Sequence, residues 1–457
     1  MRVWADPIDA ARAGESCLPQ SILFEGRYLF RRGGTGIGAY SRTLNAAARS
    51  LGYRTHGLSA VERRPSATDS QYNEILLFDA AVPRRTAFDL AGRWRRSLQG
   101  ATLGVTPTAV TLTGDVIAPP GAVAAEFDRV FAAHRLYDGA EKAFRDLGRM
   151  TKLNFADAPA IFHAPYPVAL RARRAANVYT LHDLVPLRLP YATLEDKKYF
   201  LALVRRLCRE ADHIVTVSET SKADILRITG MDEARISNTY QAVDLPKAEL
   251  ERPLDEVAAE LRDAYGLEPG SYFLFYGAIE PKKNVARLIE AFAESGSKRT
   301  LVLAGGLGWQ YGPELRLIAD ERFLAYDLDA GRITPRRRVR RLPHVPLDRL
   351  IGLIRGARAV LFPSIYEGFG LPILESMTIG APVLASRVAS LPEVAGDAAL
   401  LIEPTDVKSI ARGIRALDQD SDMCADLVAK GRARAALFSP ERHRELLRAV
   451  YRRFAAP

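Results

Sequence analysis

The sequence predicts an α/β protein of two doubly wound, Rossmann-like domains, and three observations carry that reading. Apolar strand-like runs alternate with helical patterns along the chain, as in parallel sheets joined by crossover helices. No short internal period is visible over the 457 residues, which excludes a solenoid. A segment from about Val243 to Gly270, with Pro246, Pro253 and Pro269, breaks the alternation and marks a domain boundary. The expected division is residues 1–245, 246–437 and a terminal helical piece, 438–457. Two such domains imply a cleft between them, and ligands of these sheets bind beyond the carboxyl ends of the strands.

In the first half, SILFEG, EILLFDA, VTLTGDVI, APAIFHAPY, NVYTLHDLV and HIVTVSE read as strands. Between them Tyr40–Leu51, Glu126–Leu147 and Thr193–Glu210 space their apolar residues as helices do. Residues Ala60–Ser70 and Ala101–Gly121 read as surface connections. The second half alternates more cleanly. SYFLFYGAIE is a strand, Asn284–Ser295 a helix and TLVLAGG a strand. After RRVRRLPHV come the helix Leu347–Gly356, the strand AVLFPS, the helix Pro372–Gly380 and the strand APVLAS. Residues Pro440–Phe454 form an arginine-rich amphipathic helix.

Composition bounds the function classes. Cys17, Cys208 and Cys424 lie far apart, fitting neither a metal-ligand spacing nor a disulfide framework, which suits a reducing compartment. The opening MRVWADPIDAARAGESC lacks the apolar core of a secretory signal, and no stretch approaches the roughly 18 apolar residues of a membrane span. A cytoplasmic protein is the expectation. The formal charge is +10, and 34 basic against 27 acidic side chains precede residue 250. Arginines crowd at Arg31–Arg32, Arg93–Arg95–Arg96, Arg171–Arg173–Arg174 and Arg205–Arg206–Arg209. They read either as a solvated face or as a surface for an anionic partner, a diphosphate-bearing substrate or the anionic inner leaflet of a membrane. No nucleic-acid-binding motif accompanies the charge, so nucleic acid is not expected.

The strongest motif is FPSIYEGFGLPILESMTIGAPVLAS. It places Glu367 in the loop after a strand, Gly368–Phe369–Gly370 as a turn, Pro372 in the first helical turn and Glu375 about one turn further in. Backbone N–H groups at Gly368, Phe369, Gly370 and Leu371, with the helix dipole behind them, favour an anion or a polar sugar edge. Carboxylates are good bidentate acceptors for vicinal hydroxyls. In YGAIEPKKNVARLIEAF a strand ends at Gly277, and Lys282 and Lys283 sit in the loop. Asn284 is placed to cap the following helix. Two lysines beside a helix start make a diphosphate site that needs no metal.

These segments, with AGGLGW, LPHVPLDRL and LPEVAGDAALLIEP, cover most of residues 272–405 and resemble the retaining GT-B glycosyltransferases of family 4. Bacterial mannosyltransferases of polysaccharide assembly are the members they resemble most. The resemblance implies that Lys283 holds the donor diphosphate, Glu375 the ribose hydroxyls and Glu367 the transferred sugar. Many members carry an arginine where this chain has Ala278, and Lys282 would supply the second positive charge. The first half matches more weakly. Gly33–Gly34–Thr35–Gly36–Ile37–Gly38 resembles the family's glycine loop, with Gly36 and Gly38 facing the donor phosphates. His182 in YTLHDLVPL resembles the histidine lining the transferred sugar. TVSETSKADI, with Ser218 and Glu219, resembles a helix start at the cleft wall. The terminal helix resembles the segment that returns to the first domain.

The expectation is therefore transfer of a hexose, mannose first, from a nucleoside diphosphate to a hydroxyl of a glycan or polyprenyl-diphosphate-linked glycan. Retention at the anomeric carbon is implied by the family, with the departing phosphate taking the acceptor's proton. Lys283, Glu367 and His182 would act at the reacting centre. No cofactor is required and no metal is expected; GDP-mannose is the first-choice donor, with UDP- and dTDP-sugars open. A non-catalytic sugar-nucleotide-binding subunit and a UDP-sugar glucosyltransferase are the alternatives. Peripheral contact with the inner leaflet suits the basic first half.

Overall fold

The computed structural model describes residues 20–30, 36–79, 88–119, 121–329 and 332–455. Cys17, Arg31–Arg32 and the start of the glycine loop, Gly33–Thr35, lie outside the described residues. Two compact units divide the chain, Met1–Val178 with Leu447–Pro457, and Tyr179–Leu446. Among the described residues no helix is long and apolar enough to cross a membrane.

The first unit holds β1 (Ser21–Glu25), β2 (Arg54–Val61), β3 (Thr108–Val110), β4 (Arg129–His134), β5 (Thr151–Leu153), β6 (Ile161–Ala164) and β7 (Leu170–Ala172). It also holds the first residues of β8 (Ala176–Thr180). Strands β6, β1, β2 and β4 run parallel in that order, and β3 closes the edge antiparallel to β4. Strands β5 and β7 form a separate parallel pair. Ile22, Leu23, Phe24, Leu44, Leu58 and Phe162 are fully buried. The helix Gly36–Ser50 carries Gly36 and Gly38 in its first turn. The end of the chain packs into this unit. Tyr451 shares a 2.8 Å hydrogen bond with Nδ1 of His163, and the Tyr53 hydroxyl donates to the Ala455 carbonyl at 2.9 Å.

The second unit opens with β9 (His213–Thr216) and β10 (Ile236–Asn238), paired in parallel. Its main sheet contains β11 (Tyr272–Tyr276) and β12 (Thr300–Ala304), and an antiparallel hairpin, β13 (Leu324–Asp329) with β14 (Arg332–Arg337), follows. Completing the sheet are β15 (Val339–Leu342), β16 (Ala359–Phe362), β17 (Val383–Ser386) and β18 (Leu400–Ile402). Its order is β15-β12-β11-β16-β17-β18, and every pairing is parallel. Phe273–Phe275, Leu301–Leu303 and Val360–Leu361 are fully buried, which is why these strands read as unbroken apolar runs rather than alternating ones. From β11 the chain moves outward to β12 on one side and returns to β16 on the other. That reversal makes the β11–β16 boundary the topological switch point, where loops diverge and leave a crevice.

Three expectations about elements are corrected. In EILLFDA, Glu74–Phe78 belong to the helix Ser70–Phe78, whose start is capped by Asp69 accepting from the Tyr72 N–H at 2.8 Å. VTLTGDVI contributes only Val110 to a strand. Within Glu126–Leu147, residues 129–134 are β4, and only Leu136–Leu147 is helical. The proline-broken segment also contains two helices, Lys247–Glu251 and Leu254–Tyr265.

Candidate functional site

The loops after β11 and β16, on either side of the switch point, carry the two strongest motifs. Several bonds tie them together. The Ile365 N–H donates to the Lys282 carbonyl at 2.8 Å. Asn284 takes a left-handed backbone (φ 61°), and its Nδ2 donates to the carbonyls of Pro363 (2.9 Å) and Pro404 (2.7 Å). Asn284 thus precedes the helix Val285–Ser295 without capping it through its side chain, and staples three loops instead.

Gly277 and Gly305 end β11 and β12, Gly277 suited by its φ of +130° and Gly305 required by close approach. A Cβ on Gly305, whose φ is +150°, would lie 2.1 Å from the Gly277 carbonyl oxygen. The contact draws the two strand ends together behind the lysine loop.

Lys283 Nζ donates to Oε1 of Glu367 at 2.6 Å, and Lys282 Nζ lies 3.6 Å from Oε2 of the same carboxylate and 3.5 Å from Glu280. Glu367 is only 8 % exposed. Burial pushes its carboxyl up, but the charges of Lys283 and Lys282 and the Lys283 hydrogen bond outweigh burial and hold it at about 2. The Glu367 charge raises the Lys282 ammonium above its ordinary range against the opposing effect of burial, with Asp183 and Glu280 adding to it. Glu280 shifts upward because it is buried, despite both lysines.

The sign for stability follows from Glu367. A carboxyl held at about 2 when folded and near 4.5 when exposed stabilises the fold fully above about pH 4.5. That contribution, on the order of 3 kcal/mol, is lost as pH falls from about 4.5 to about 2. Acid unfolding of Glu367→Gln, followed by circular dichroism, is expected to show a shallower loss across this window than the wild-type chain.

The turn between the two glutamates is packed from both sides. A Cβ on Gly368 would lie 2.7 Å from Asp183 and 3.0 Å from the His182 carbonyl oxygen, so only glycine lets these loops meet. The Gly368 carbonyl accepts from Ser218 Oγ (2.7 Å) and Ser221 Oγ (3.1 Å), while Ser390 Oγ is 2.8 Å from the carbonyls of both Glu367 and Phe369. Gly370, with φ +109°, precedes the helix Leu371–Ile379 and has Pro372 in its first turn. Pro372 has no N–H and the Ile373 N–H donates to the Gly370 carbonyl at 3.0 Å, so at this helix start the N–H groups of Gly370 and Leu371 are the ones that can face an anion. One turn in, Glu375 accepts from the Tyr276 hydroxyl at 3.0 Å, and burial raises its carboxyl above the usual range. That hydroxyl also meets the Pro372 carbonyl at 2.7 Å, so β11 fixes where Glu375 sits.

His182 follows β8, and its Nδ1 lies 3.1 Å from the Gln241 amide nitrogen. Gln241 is a residue that sequence reasoning missed. With the amide donating, Nδ1 must be the unprotonated nitrogen, and the neutral ring presents Nε2–H as a donor. Ser218 caps the helix Glu219–Thr229 by accepting from the Ser221 N–H at 3.0 Å. The Glu393 carboxylate also occupies that helix start, accepting from the N–H groups of Glu219 (2.8 Å) and Thr220 (3.2 Å). Gly36 and Gly38 belong to the first unit and lie at its helix start.

Gln241→Leu removes the donor to His182 while retaining bulk. A single hydrogen bond is worth about 1 kcal/mol net, so kcat is expected to fall roughly fivefold. Affinity for the free nucleoside diphosphate should stay unchanged. A matching loss of that affinity would show that Gln241 acts on the whole site and not through the histidine.

Residues 258–434 match the family described as glycosyl transferases group 1, and residues 84–247 match glycosyltransferase family 4. The chain is 33 % identical over 290 residues to the O-antigen chain mannosyltransferase B of Escherichia coli, a match spanning 62 % of this chain and 71 % of that protein. It is 31 % identical over 271 residues to the serotype-specific mannosyltransferase WbdA of Escherichia coli, spanning 58 % of this chain but only 32 % of that longer protein. Among solved structures, Anabaena HepE in complex with UDP and glucose superposes with a TM-score of 0.60 at 16 % identity, over 95 % of this chain and 100 % of that one. That likeness establishes a GT-B fold.

Proposed function

Because the chain belongs to the group 1, family 4 glycosyltransferases, we propose that it transfers mannose from GDP-mannose to a glycan or polyprenyl-diphosphate-linked glycan, with retention at the anomeric carbon. The observation that carries the donor assignment is the buried cluster of Lys283, Lys282 and Glu367 at the switch point, with Glu375 one helical turn away. The choice of mannose is supported by the names of the relatives, both mannosyltransferases.

In this reading the acceptor hydroxyl attacks the anomeric carbon on the face from which the diphosphate leaves. The new glycosidic bond forms as the bond to the diphosphate oxygen breaks, and a phosphate oxygen takes the hydroxyl proton. Lys283 and Lys282, with the N–H groups at Gly368–Leu371, stabilise the charge that develops on the departing diphosphate. Glu367 and the Nε2–H of His182 orient the sugar, and Glu375 receives the ribose hydroxyls. Charge supplied by two partly buried lysines replaces the role a divalent ion plays at other diphosphate sites. The acceptor lipid would bring the chain to the inner leaflet of a membrane.

A donor screen tests the reading. GDP-mannose is expected to be hydrolysed or transferred faster than UDP-glucose or dTDP-glucose, with the rate unchanged by EDTA. A preference for a uridine donor would overturn the mannose assignment. Reversible inactivation by EDTA would overturn metal independence.

A further inference from the structure

The first unit holds a cavity of about 760 Å³ that the chemistry above does not use. It lies between the helix Phe88–Thr102, the carboxyl end of β4 and the start of the helix Leu136–Leu147. Ligand sites typically enclose about 300–1,000 Å³. Arg64, Arg95, Arg96 and Arg135 line it with His134 and Thr151, and no aspartate or glutamate is among the described lining residues. Glu62, outside the lining, pairs with Arg135 at 2.9 Å and offsets one of the four charges.

Two of the cavity's lining side chains carry a buried polar atom without a hydrogen-bond partner. Thr151 is 2 % exposed and its Oγ1 has no hydrogen-bond partner. The Nδ1 of His134 is likewise buried and unpartnered. A buried polar group left unsatisfied is costly, so such groups persist where something else satisfies them. Burial and then the charges of Arg96, Arg135 and Arg64 lower the His134 pKa, with Glu62 opposing. The neutral ring can still donate through a nitrogen. Arginine forks match phosphate oxygens in a bidentate manner, and the start of a twelve-residue helix adds positive dipole on one wall.

We propose that this cavity binds a phosphate- or diphosphate-bearing ligand, with Arg64, Arg95 and Arg96 taking its charge and Thr151 and His134 its remaining oxygens. Its lining residues all belong to the first unit, whereas the lysine cluster assigned to the donor belongs to the second. The same chemistry could arrive on a soluble phosphorylated ligand or on a lipid.

Titration calorimetry of the full chain with inorganic pyrophosphate tests the site. Binding is expected for the wild-type protein and should weaken at least tenfold in Arg64→Ala/Arg95→Ala, whose two side chains are exposed. Thr151→Val is a second, isosteric test and should weaken it several-fold. Nucleoside diphosphate binding should survive in all these variants, which separates this site from the donor site. Pyrophosphate affinity unchanged in the arginine variant and in Thr151→Val overturns the proposal. Flotation with phosphatidylcholine vesicles, with and without a polyprenyl diphosphate, then identifies the source. Arginine-dependent capture only by diphosphate-bearing vesicles assigns a lipid, whereas pyrophosphate binding without capture assigns a soluble ligand.

Discussion

Lys283→Ala is expected to lower kcat for sugar transfer by about 10²- to 10³-fold, the usual effect of removing one preorganised donor from a developing charge. Lys283 is the nearest cation to Glu367, at 2.6 Å, and under the proposed donor assignment its ammonium would turn from that carboxylate to a diphosphate. The substitution has a second effect. Glu367 keeps only Lys282, 3.6 Å away, so its carboxyl moves up from about 2 and the fold loses part of its ion pairing. Breaking a buried pair from one side costs up to about 3–5 kcal/mol, so the variant should also melt earlier. Lys283→Ala combined with Glu367→Gln separates the two effects. The double variant should regain much of the thermal stability and none of the activity. Near-normal kinetics in the single variant would refute the diphosphate role of Lys283.

Glu375→Ala should weaken binding of the free nucleoside diphosphate by about tenfold to a hundredfold, since a hydrogen bond to a charged group contributes about 1.5–3 kcal/mol. A nucleotide without ribose hydroxyls provides the discriminating measurement. The 2′,3′-dideoxy diphosphate should bind wild type and Glu375→Ala alike, whereas the ordinary ribonucleotide should prefer wild type. Tyr276→Phe should give a smaller loss in the same direction, because that hydroxyl fixes the Glu375 carboxylate at 3.0 Å. Equal losses for both nucleotides would remove Glu375 from the ribose.

The second-unit sheet was legible because its strands are buried on both faces and the helices Leu347–Gly356 and Leu371–Ile379 open beside proline or glycine. The helix Leu347–Gly356 lies where its spacing places it. EILLFDA misled because a short apolar run fits a strand and a buried helix equally, and the deciding signal, Asp69 as a cap, lies outside the run. Arg129–His134 was absorbed into a helix because the break falls at Arg135, a non-glycine residue with φ 44° that carries no turn signal. In the hairpin β13–β14 the first strand, LAYDLD, does alternate, but the second, RITPRR, is rich in arginine and interrupted by proline, which hid the pairing. For the site, the motifs named Lys283 and Glu367 separately, but their contact joins residues 84 apart in sequence. Gln241 carries no motif, and 59 residues separate it from His182, so only the folded chain brings the two together.

The Lys283–Glu367 pair has a bearing on what the site ignores. Under the donor assignment, Glu367 is a resident competitor for every small anion that diffuses in. Inorganic phosphate or sulfate must displace a carboxylate already bonded at 2.6 Å and leaves that buried carboxylate with only the longer contact to Lys282, at 3.6 Å. A nucleotide sugar escapes this penalty, since its hexose hydroxyls can donate to the carboxylate that its diphosphate displaces. The carboxylate thereby rejects the abundant simple anions of a cell, and after transfer it is ready to reclaim the lysine and help expel the spent nucleotide.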